Sequence, residues 1–334
     1  MKNKPSNGSV IGLDLGTSRI VVASRAGEEF AYRSQLNAFV SIPFSKMTER
    51  ALRKEEVPHV VQESRILIYG NESQRFADLF HLESRRPMSG GILNPGEPDG
   101  LNLIRRIVQT LDQELDGETS KVCFSTPAAP LGAESTVTYH EAAVAELLTD
   151  MGHQAQSINE GLAVVYSELE DSNYTGIGVS FGGGLCNVCL AYLSAPLFSF
   201  SVSKAGDFID SSVASVTNEL ATRVRIVKES AFRFNGHFAD KVQQALTIYY
   251  QDMIDSVVGG LRRAFADSMN VPKLGRAIPL VLSGGSVLVE GFRERFEKAL
   301  QAEPLPLRIS EVRLAADPLT ATAKGALVAA LTEM

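Results

Sequence analysis

Ile11-Gly-Leu-Asp-Leu-Gly-Thr-Ser18 is the stretch on which the fold turns. Val10 to Leu15 is a short apolar run of strand character, Gly16-Thr17-Ser18 turns it, and Ile20 to Ser24 is β-branched again. Together they predict a hairpin closed by a glycine turn. A second copy of the pattern, Ile177-Gly-Val-Ser-Phe-Gly-Gly-Gly184, stands 166 residues on, counting from Ile11 to Ile177. There too an apolar run, Ile177 to Phe181, meets glycines at 182–184 and continues as the apolar run Leu185 to Leu193. The offset is half of the 334 residues, which predicts two lobes of similar topology, each opening with such a hairpin.

Length and composition agree. At roughly 150 residues per domain the chain holds about two units. Hydrophobic residues at 44% against charged residues at 21% describe an ordinary globular chain rather than a disordered one. Lys plus Arg is 32 and Asp plus Glu is 39, a net charge of -7, with no basic arm to neutralise a run of phosphates, so general nucleic-acid binding is not expected. The apolar runs, such as Ile278 to Leu282, are far shorter than the roughly 18 residues of a spanning helix. Met1 to Ser9 has no apolar core after its lysines, so no leader is expected. Three cysteines are too few for a disulfide framework and fit a cytoplasmic location. Cys186 and Cys189 form a C-x-x-C, but three-residue spacing on a strand points the thiols to opposite faces, which favours buried apolar residues over a redox or metal pair.

Between the hairpins the periodicity predicts helices near Asn102 to Leu115 and Ser135 to Met151 and a strand at Val122 to Ser125. Beyond the second hairpin it predicts helices at Phe208 to Lys228, Ala239 to Asp267, Gly291 to Leu300 and Leu319 to Leu331, with a strand at Ile278 to Leu282. Interleaved strands and helices make this an α/β chain.

The turns have a chemical reading. A glycine turn lets backbone N–H groups approach phosphate oxygens, the hydroxyls of Thr17 and Ser18 add hydrogen bonds, and Asp14 at the strand end can hold Mg²⁺ through water. An ordinary tight turn capped by an Asp remains the alternative for this motif alone. Gly182-Gly183-Gly184 offers a second loop and Leu282-Ser-Gly-Gly-Ser286 a third, and three such turns in one chain are far more specific than one.

These motifs, with Ser157-Ile-Asn-Glu-Gly161, resemble the phosphate, connecting and adenosine motifs of the actin, heat-shock-chaperone and sugar-kinase superfamily. Within it the chain is most similar to bacterial actins of the MreB and MamK type, through Arg86-Pro-Met-Ser-Gly-Gly-Ile92, Lys204-Ala-Gly-Asp-Phe-Ile-Asp210, Val227-Lys-Glu-Ser230 and Thr322-Ala-Lys-Gly-Ala326. The resemblance implies a two-lobed, actin-like, ribonuclease-H-like duplicated ATPase fold with ATP or ADP and Mg²⁺ in the interlobe cleft. It implies lobe I over 9–158 with an outer subdomain inserted at 33–100, and lobe II over 159–334 with a reduced outer subdomain at 229–260. The helix at 319–331 is expected to pack back on lobe I.

Carried over by motif, Asp14 organises the metal, and Glu160 positions the attacking water. Gly16, Thr17, Ser18, Ser180, Gly182, Gly183 and Gly184 line the phosphates, with Gly206 and Asp207 in the stretch after the second turn. Lys228 and Glu229 lie near the ribose and base, and Gly284, Gly285 and Ser286 against the adenosine. For Glu160 a helix-start carboxylate favoured by the helix dipole is the plainer alternative. The implied work is nucleotide-dependent assembly into cytoplasmic filaments with weak ATPase activity. A non-polymerising chaperone-like protein or pseudo-ATPase regulator is the alternative, with a small-molecule kinase behind it. A chaperone would carry a further substrate domain, and the catalytic Asp base of a kinase is not identifiable.

The chain departs from the family pattern where an acidic residue usually precedes the second set of glycines: Ser180 stands there, followed by Leu185 and Asn187 in place of the usual Thr and an occasional Asp. Weaker metal coordination and slower turnover are expected. Gly178-Val-Ser-Phe-Gly182 also fits G-x-S-x-G, yet an elbow serine must lead into a helix and needs a downstream His, whereas strand character continues here and only His237 follows. His59, His81, His140, His153 and His237 show no metal spacing. Leu79-Phe80 is a weak candidate for a membrane-touching loop, a buried apolar pair on a helix face being the simpler expectation.

Overall fold

The computed structural model describes residues 9–111, 120–131, 137–267 and 276–333. β1 (Val10–Leu15), β2 (Arg19–Ala26) and β3 (Glu29–Leu36) form an antiparallel meander. The chain then builds an outer unit from β4 (Phe39–Pro43), α1 (Lys46–Lys54), β5 (His59–Gln62), β6 (Arg65–Tyr69), α2 (Asn71–Phe80) and a ribbon of β7 (Met88–Ser89) and β8 (Ile92–Leu93). It returns through α3 (Gly100–Leu111) to β9 (Lys121–Thr126), α4 (Val137–Asp150) and β10 (Gln154–Asn159). β9 lies parallel to β1 and β10 parallel to β9, so the first sheet is ordered β3-β2-β1-β9-β10.

After α5 (Glu160–Glu168) the plan repeats. β11 (Gly176–Phe181), β12 (Cys186–Tyr192) and β13 (Ala195–Val202) make the meander. α6 (Gly206–Thr217), α7 (Ala221–Ser230) and α8 (Lys241–Asp267) follow. β14 (Ile278–Ser283), α9 (Phe292–Ala302), β15 (Ile309–Leu314) and α10 (Ala321–Glu333) complete it. The second sheet is ordered β13-β12-β11-β14-β15, the same arrangement as the first. The match extends to register, since Asp14 pairs with Val21 and Ser180 with Asn187, each at the offset that separates Ile11 from Ile177.

Each meander needs its sheet covered, and the motif glycines make the room. A Cβ on Gly12 of β1 would overlap the backbone of Ala323 and Leu327 in α10, and one on Gly178 of β11 would overlap Gly161 of α5. Thus α10 lies on the first sheet, α5 on the second, and the two helices meet where Gly325 lies against Ala163. Around this centre each sheet closes its own apolar core, with Ile11, Leu13, Ile104 and Phe124 in one and Val179, Phe181, Tyr250 and Phe292 in the other.

Two expectations change. The single helix at Phe208 to Lys228 is two, because Asn218 takes a left-handed conformation at φ 59° and ends α6. Leu79 and Phe80 are exposed rather than buried, at 62% and 46%, because α2 turns Ser73, Phe76 and Ala77 inward instead. The helix at Asn102 to Leu115 is described only to Leu111, and Ser135 at the start of the next helix lies outside the described residues. Cys186 and Cys189 are buried on opposite faces of β12, Cys186 in the second core and Cys189 against Gly161. Burial raises both thiols, Cys189 to about 12, so neither is a nucleophile at neutral pH. β12 follows Ser180 as a strand, which removes the nucleophile-elbow geometry. No helix is long and apolar enough to cross a membrane among the described residues.

Candidate nucleotide site

The first glycine turn is held from outside. Asn37 donates its backbone N–H to Ser18 O at 3.0 Å and its Nδ2 to Gly16 O at 3.0 Å. Thr17 Oγ1 accepts from Gly91 N at 3.1 Å, which brings in the loop after Arg86. The second turn closes on itself through Gly182 N to Leu185 O at 3.0 Å. It is tied to the start of α6, where Gly206 N donates to Gly182 O at 3.1 Å and Asp207 N to Gly183 O at 2.8 Å. The two turns face each other in contact: a Cβ on Gly183 would overlap Ser18 Oγ, and one on Gly184 would overlap Thr17 Oγ1. Only glycine permits this approach.

Two carboxylates form the floor. Asp14 accepts from Ser125 Oγ at 2.8 Å, and Ser125 in turn accepts from Leu15 N at 3.0 Å. Glu160 is the first residue of α5, capped by Asn159 Oδ1, which accepts from Gly161 N at 2.9 Å. Ser180 Oγ donates to Glu160 Oε2 at 3.2 Å. Burial raises Asp14 to about 6, partly offset by the Ser125 hydroxyl. Burial first, then the nearby Asp14, raises Glu160 to about 8, against the lowering effect of Ser180 and Asn187. Neither carboxylate has a cationic side chain within ion-pair distance among the described residues. Two hard oxygen donors, both pushed toward protonation by burial and Glu160 also by Asp14, suit a Mg²⁺ that completes its shell with water and phosphate oxygens. No three metal-ligating side chains gather among the described residues.

The third turn approaches the second from the side. Gly284 has φ 95°, donates to Pro318 O at 2.8 Å, and has no room for a Cβ against Phe181. Ser286 Oγ lies near Gly206, while Gly285 is exposed beside Leu319. The structure therefore gathers Asp14, Gly16, Thr17, Ser18, Glu160, Ser180, Gly182, Gly183, Gly184, Gly206, Asp207, Gly284 and Ser286 around one cleft, with Gly285 at its rim.

Lys228 is held differently from a free ligand-binding cation. Its Nζ sits 2.7 Å from buried Asp210 and donates to Gly206 O at 3.2 Å, so it braces the start of α6. Glu229 points into solvent at the next position. Asp207 is taken by Arg86, which donates from Nη1 to both carboxylate oxygens at 2.8 and 2.9 Å and so ties the loop of one lobe to the helix of the other. The sequence assigns no role to Asn37, Arg86, Ser125 or Asp210. Arg86 and Asp210 lie within quoted motifs, and Asn187 stands out there only as a departure from the family pattern, but nothing local marks Asn37 or Ser125.

Paired sheets of identical order, each ending in a glycine turn that meets the other beside two buried acids, define the actin-like two-lobed class. The Volactin family profile matches residues 10–330, and the chain belongs to that family. The actin-like protein MamK of Magnetospirillum gryphiswaldense is 23% identical over 246 residues, a match that takes in 70% of this chain and 61% of MamK's length. Among solved structures, the MamK double helical filament superposes with a TM-score of 0.74 at 18% identity, over 97% of this chain and 99% of that one. A non-polymerising MamK mutant bound to AMPPNP gives 0.62 at 18% identity, over 96% and 98%. The ethanolamine utilization protein EutJ of Carboxydothermus hydrogenoformans gives 0.58 at 14% identity, over 98% and 91%.

Proposed function

We propose that this protein binds ATP with Mg²⁺ between its lobes, hydrolyses it slowly, and assembles with copies of itself into cytoplasmic filaments whose dynamics follow the nucleotide. The observation that carries the reading is the face-to-face pair of glycine turns above Asp14 and Glu160. A MamK filament and an AMPPNP-bound MamK share the fold, which supports both the ligand class and self-association. Lobe I takes 9–158 with its outer part at 33–100, lobe II takes 159–334 with a small outer part at 229–260, and the cleft lies between them.

In this reading the turn amides and the hydroxyls of Thr17 and Ser18 orient the phosphates, and Gly284 to Ser286 flank the nucleoside. Asp14 would hold a Mg²⁺ through water, and that ion would supply charge compensation to the terminal phosphates. Glu160 accepts a hydrogen bond from the attacking water. Most of the acceleration in such a site comes from orientation and charge compensation.

Sedimentation at high speed with negative-stain microscopy tests the assembly. Ordered filaments above a critical concentration are expected in Mg-ATP, with fewer in Mg-ADP and none without nucleotide. A monomer in every condition would overturn autonomous assembly and leave the partner-dependent regulator.

Ser180 predicts slow chemistry, because its hydroxyl serves Glu160 where a second carboxylate would serve the metal. Ser180→Asp is expected to lower the Mg²⁺ concentration needed for half-maximal hydrolysis several-fold and to raise turnover. A magnesium titration of phosphate release reads both. Unchanged curves would detach Ser180 from the metal.

A further inference from the structure

β3 forms an edge of the first sheet, and its outer side is open. Gly27 and Glu28 alone separate the paired residues Ala26 and Glu29, a two-residue hairpin whose closing pair is hydrogen-bonded. Glu29, Ala31, Arg33 and Gln35 therefore turn their backbone groups toward β2, and Phe30, Tyr32, Ser34 and Leu36 turn theirs away. Leu36 agrees with that phase, since its N–H leaves the sheet to donate to Asn71 Oδ1 at 3.0 Å. From Phe30 to Ser34 the outward N–H and C=O groups meet no hydrogen-bond partner among the described residues.

Open edges are normally blunted, because they offer a template to any other strand. β13 is the equivalent edge of the second sheet. It carries Pro196, and a register shift leaves Leu197 without a counterpart. It is also covered at Ser201, whose N–H donates to Ala129 O at 2.9 Å and whose O accepts from Leu131 N at 3.2 Å. β3 has neither proline nor shift along its length, and its Phe30 and Tyr32 are exposed. One topology thus protects one edge and leaves the other free.

The free stretch, Glu29-Phe30-Ala31-Tyr32-Arg33, reads as its own complement. Phe30 and Tyr32 lie on the face that α10 covers, opposite Arg25 and Ala23, with Lys324 Nζ 5.8 Å from the Phe30 ring. Glu29, Ala31 and Arg33 lie on the other face, where Arg33 Nη1 donates to Leu111 O at 2.9 Å. Set antiparallel to a second copy and centred on Ala31, the strand places Phe30 opposite Tyr32, so their free N–H and C=O groups exchange hydrogen bonds. Ala31 meets Ala31 of the second copy on the dyad, where no bulk keeps the strands apart. Glu29 falls opposite Arg33, and the two-fold axis repeats every contact. Aromatic pairs and opposite charges directly across a sheet both stabilise it. Centring on Phe30 or on Tyr32 instead would set Glu29 opposite Ala31 or Gln35 and lose the charge match.

We propose that this protein pairs laterally with a second copy of itself through the open edges of β3, in antiparallel register about Ala31, joining their first sheets into one. The backbone groups supply the adhesion and the charges fix the register. This goes beyond the nucleotide-driven assembly above, because no residue of the glycine turns takes part and the pair forms without nucleotide.

The test is sedimentation velocity of the full chain in EDTA without nucleotide, across a concentration series. Wild type is expected to be a reversible dimer. Glu29→Arg alone and Arg33→Glu alone each set like charges opposite each other, and each is expected to weaken the dimer about 10-fold or more. Mixed in equal amounts, the two variants face each other with opposite charges at every such position and should dimerise together. No general loss of structure can produce that rescue. A mixture that stays monomeric while wild type dimerises overturns the proposal. A wild type monomeric at every concentration also overturns it, and leaves the edge to a strand of another protein. Arg33→Glu also gives up the bond to Leu111 O, so if it fails to fold, Ala31→Cys decides. Its thiols would face each other across the dyad with Cα atoms about 4.5 Å apart, within disulfide reach. Cys123, Cys186 and Cys189 are buried, so mild oxidation should give a cross-linked dimer that wild type does not form. No cross-link above wild type overturns the register. A chain that dimerises in this way yet forms no filaments in Mg-ATP leaves the lateral pair standing and removes only the nucleotide-driven assembly.

Discussion

Glu160→Gln should stop hydrolysis while leaving nucleotide in place, with phosphate release falling by about 100-fold or more. Glutamine matches glutamate in size and tolerates the first position of α5, and the Asn159 cap is untouched. What it loses is a charged acceptor for the water. Wild-type Glu160 starts from an unfavourable position, since burial and Asp14 both push its acidity down, and on the proposed reading a cation bound beside it would restore the ionised form. The variant removes one negative charge from beside a polyphosphate, so affinity should hold or rise. If assembly follows the nucleotide, filaments of the variant should form in Mg-ATP and persist, because the bound ATP is not consumed. Phosphate release and equilibrium binding of a fluorescent nucleotide measure the two effects separately. Unchanged release would move the water elsewhere in the cleft.

The second large effect is one of packing. Gly325→Ala is expected to destabilise the protein strongly, although helix propensity alone argues the opposite sign. Alanine gains about 1 kcal/mol over glycine in a helix interior. At this site, however, the new Cβ would fall 2.8 Å from Ala163 Cα and closer still to the Ala163 carbonyl, and both are backbone atoms of a central helix. No rotamer relieves such a clash, so α10 must move off α5 and carry its contact with β1 along. Overpacking of this kind costs about 1–3 kcal/mol and more where backbone must shift, which outweighs the propensity gain. A thermal melt should show Tm lower by about 5 °C or more. A rise in Tm would mean that the two helices are free to separate at no cost.

Much of this architecture is written locally. Both hairpins could be read because apolar runs broken by glycines at fixed spacing encode strand, turn and strand within a dozen residues, and the recurrence of that code announced the duplication. The long α8 was readable for the same reason, its apolar positions recurring over many turns. β10 and β15 were not, since both are edge strands with largely exposed or half-exposed residues, and their alternation is too weak to stand out. The break at Asn218 hid because a single residue in a left-handed conformation interrupts an otherwise helical pattern.

The site divides along the same line. Asp14, the three glycine turns and Glu160 sit within short motifs. The groups that orient them come from elsewhere in the chain: Ser125 meets Asp14 across 111 residues, and Arg86 meets Asp207 across 121. Such partners look like ordinary Ser and Arg in a sequence, because their significance lies in the fold that brings them together.

The seating of α10 on β1 has a consequence for the order in which the molecule is made. Gly12 is among the first described residues to leave the ribosome, and the helix that covers it, beginning at Ala321, is among the last. At ordinary elongation rates the interval is on the order of tens of seconds. Throughout it the face of the first sheet that carries Val21 and Ala23 has no native cover, while the second sheet receives α5 before its own strands are even complete. The half synthesised first is therefore the half finished last, and a nascent chain passes through a long period in which chaperone capture competes with self-burial.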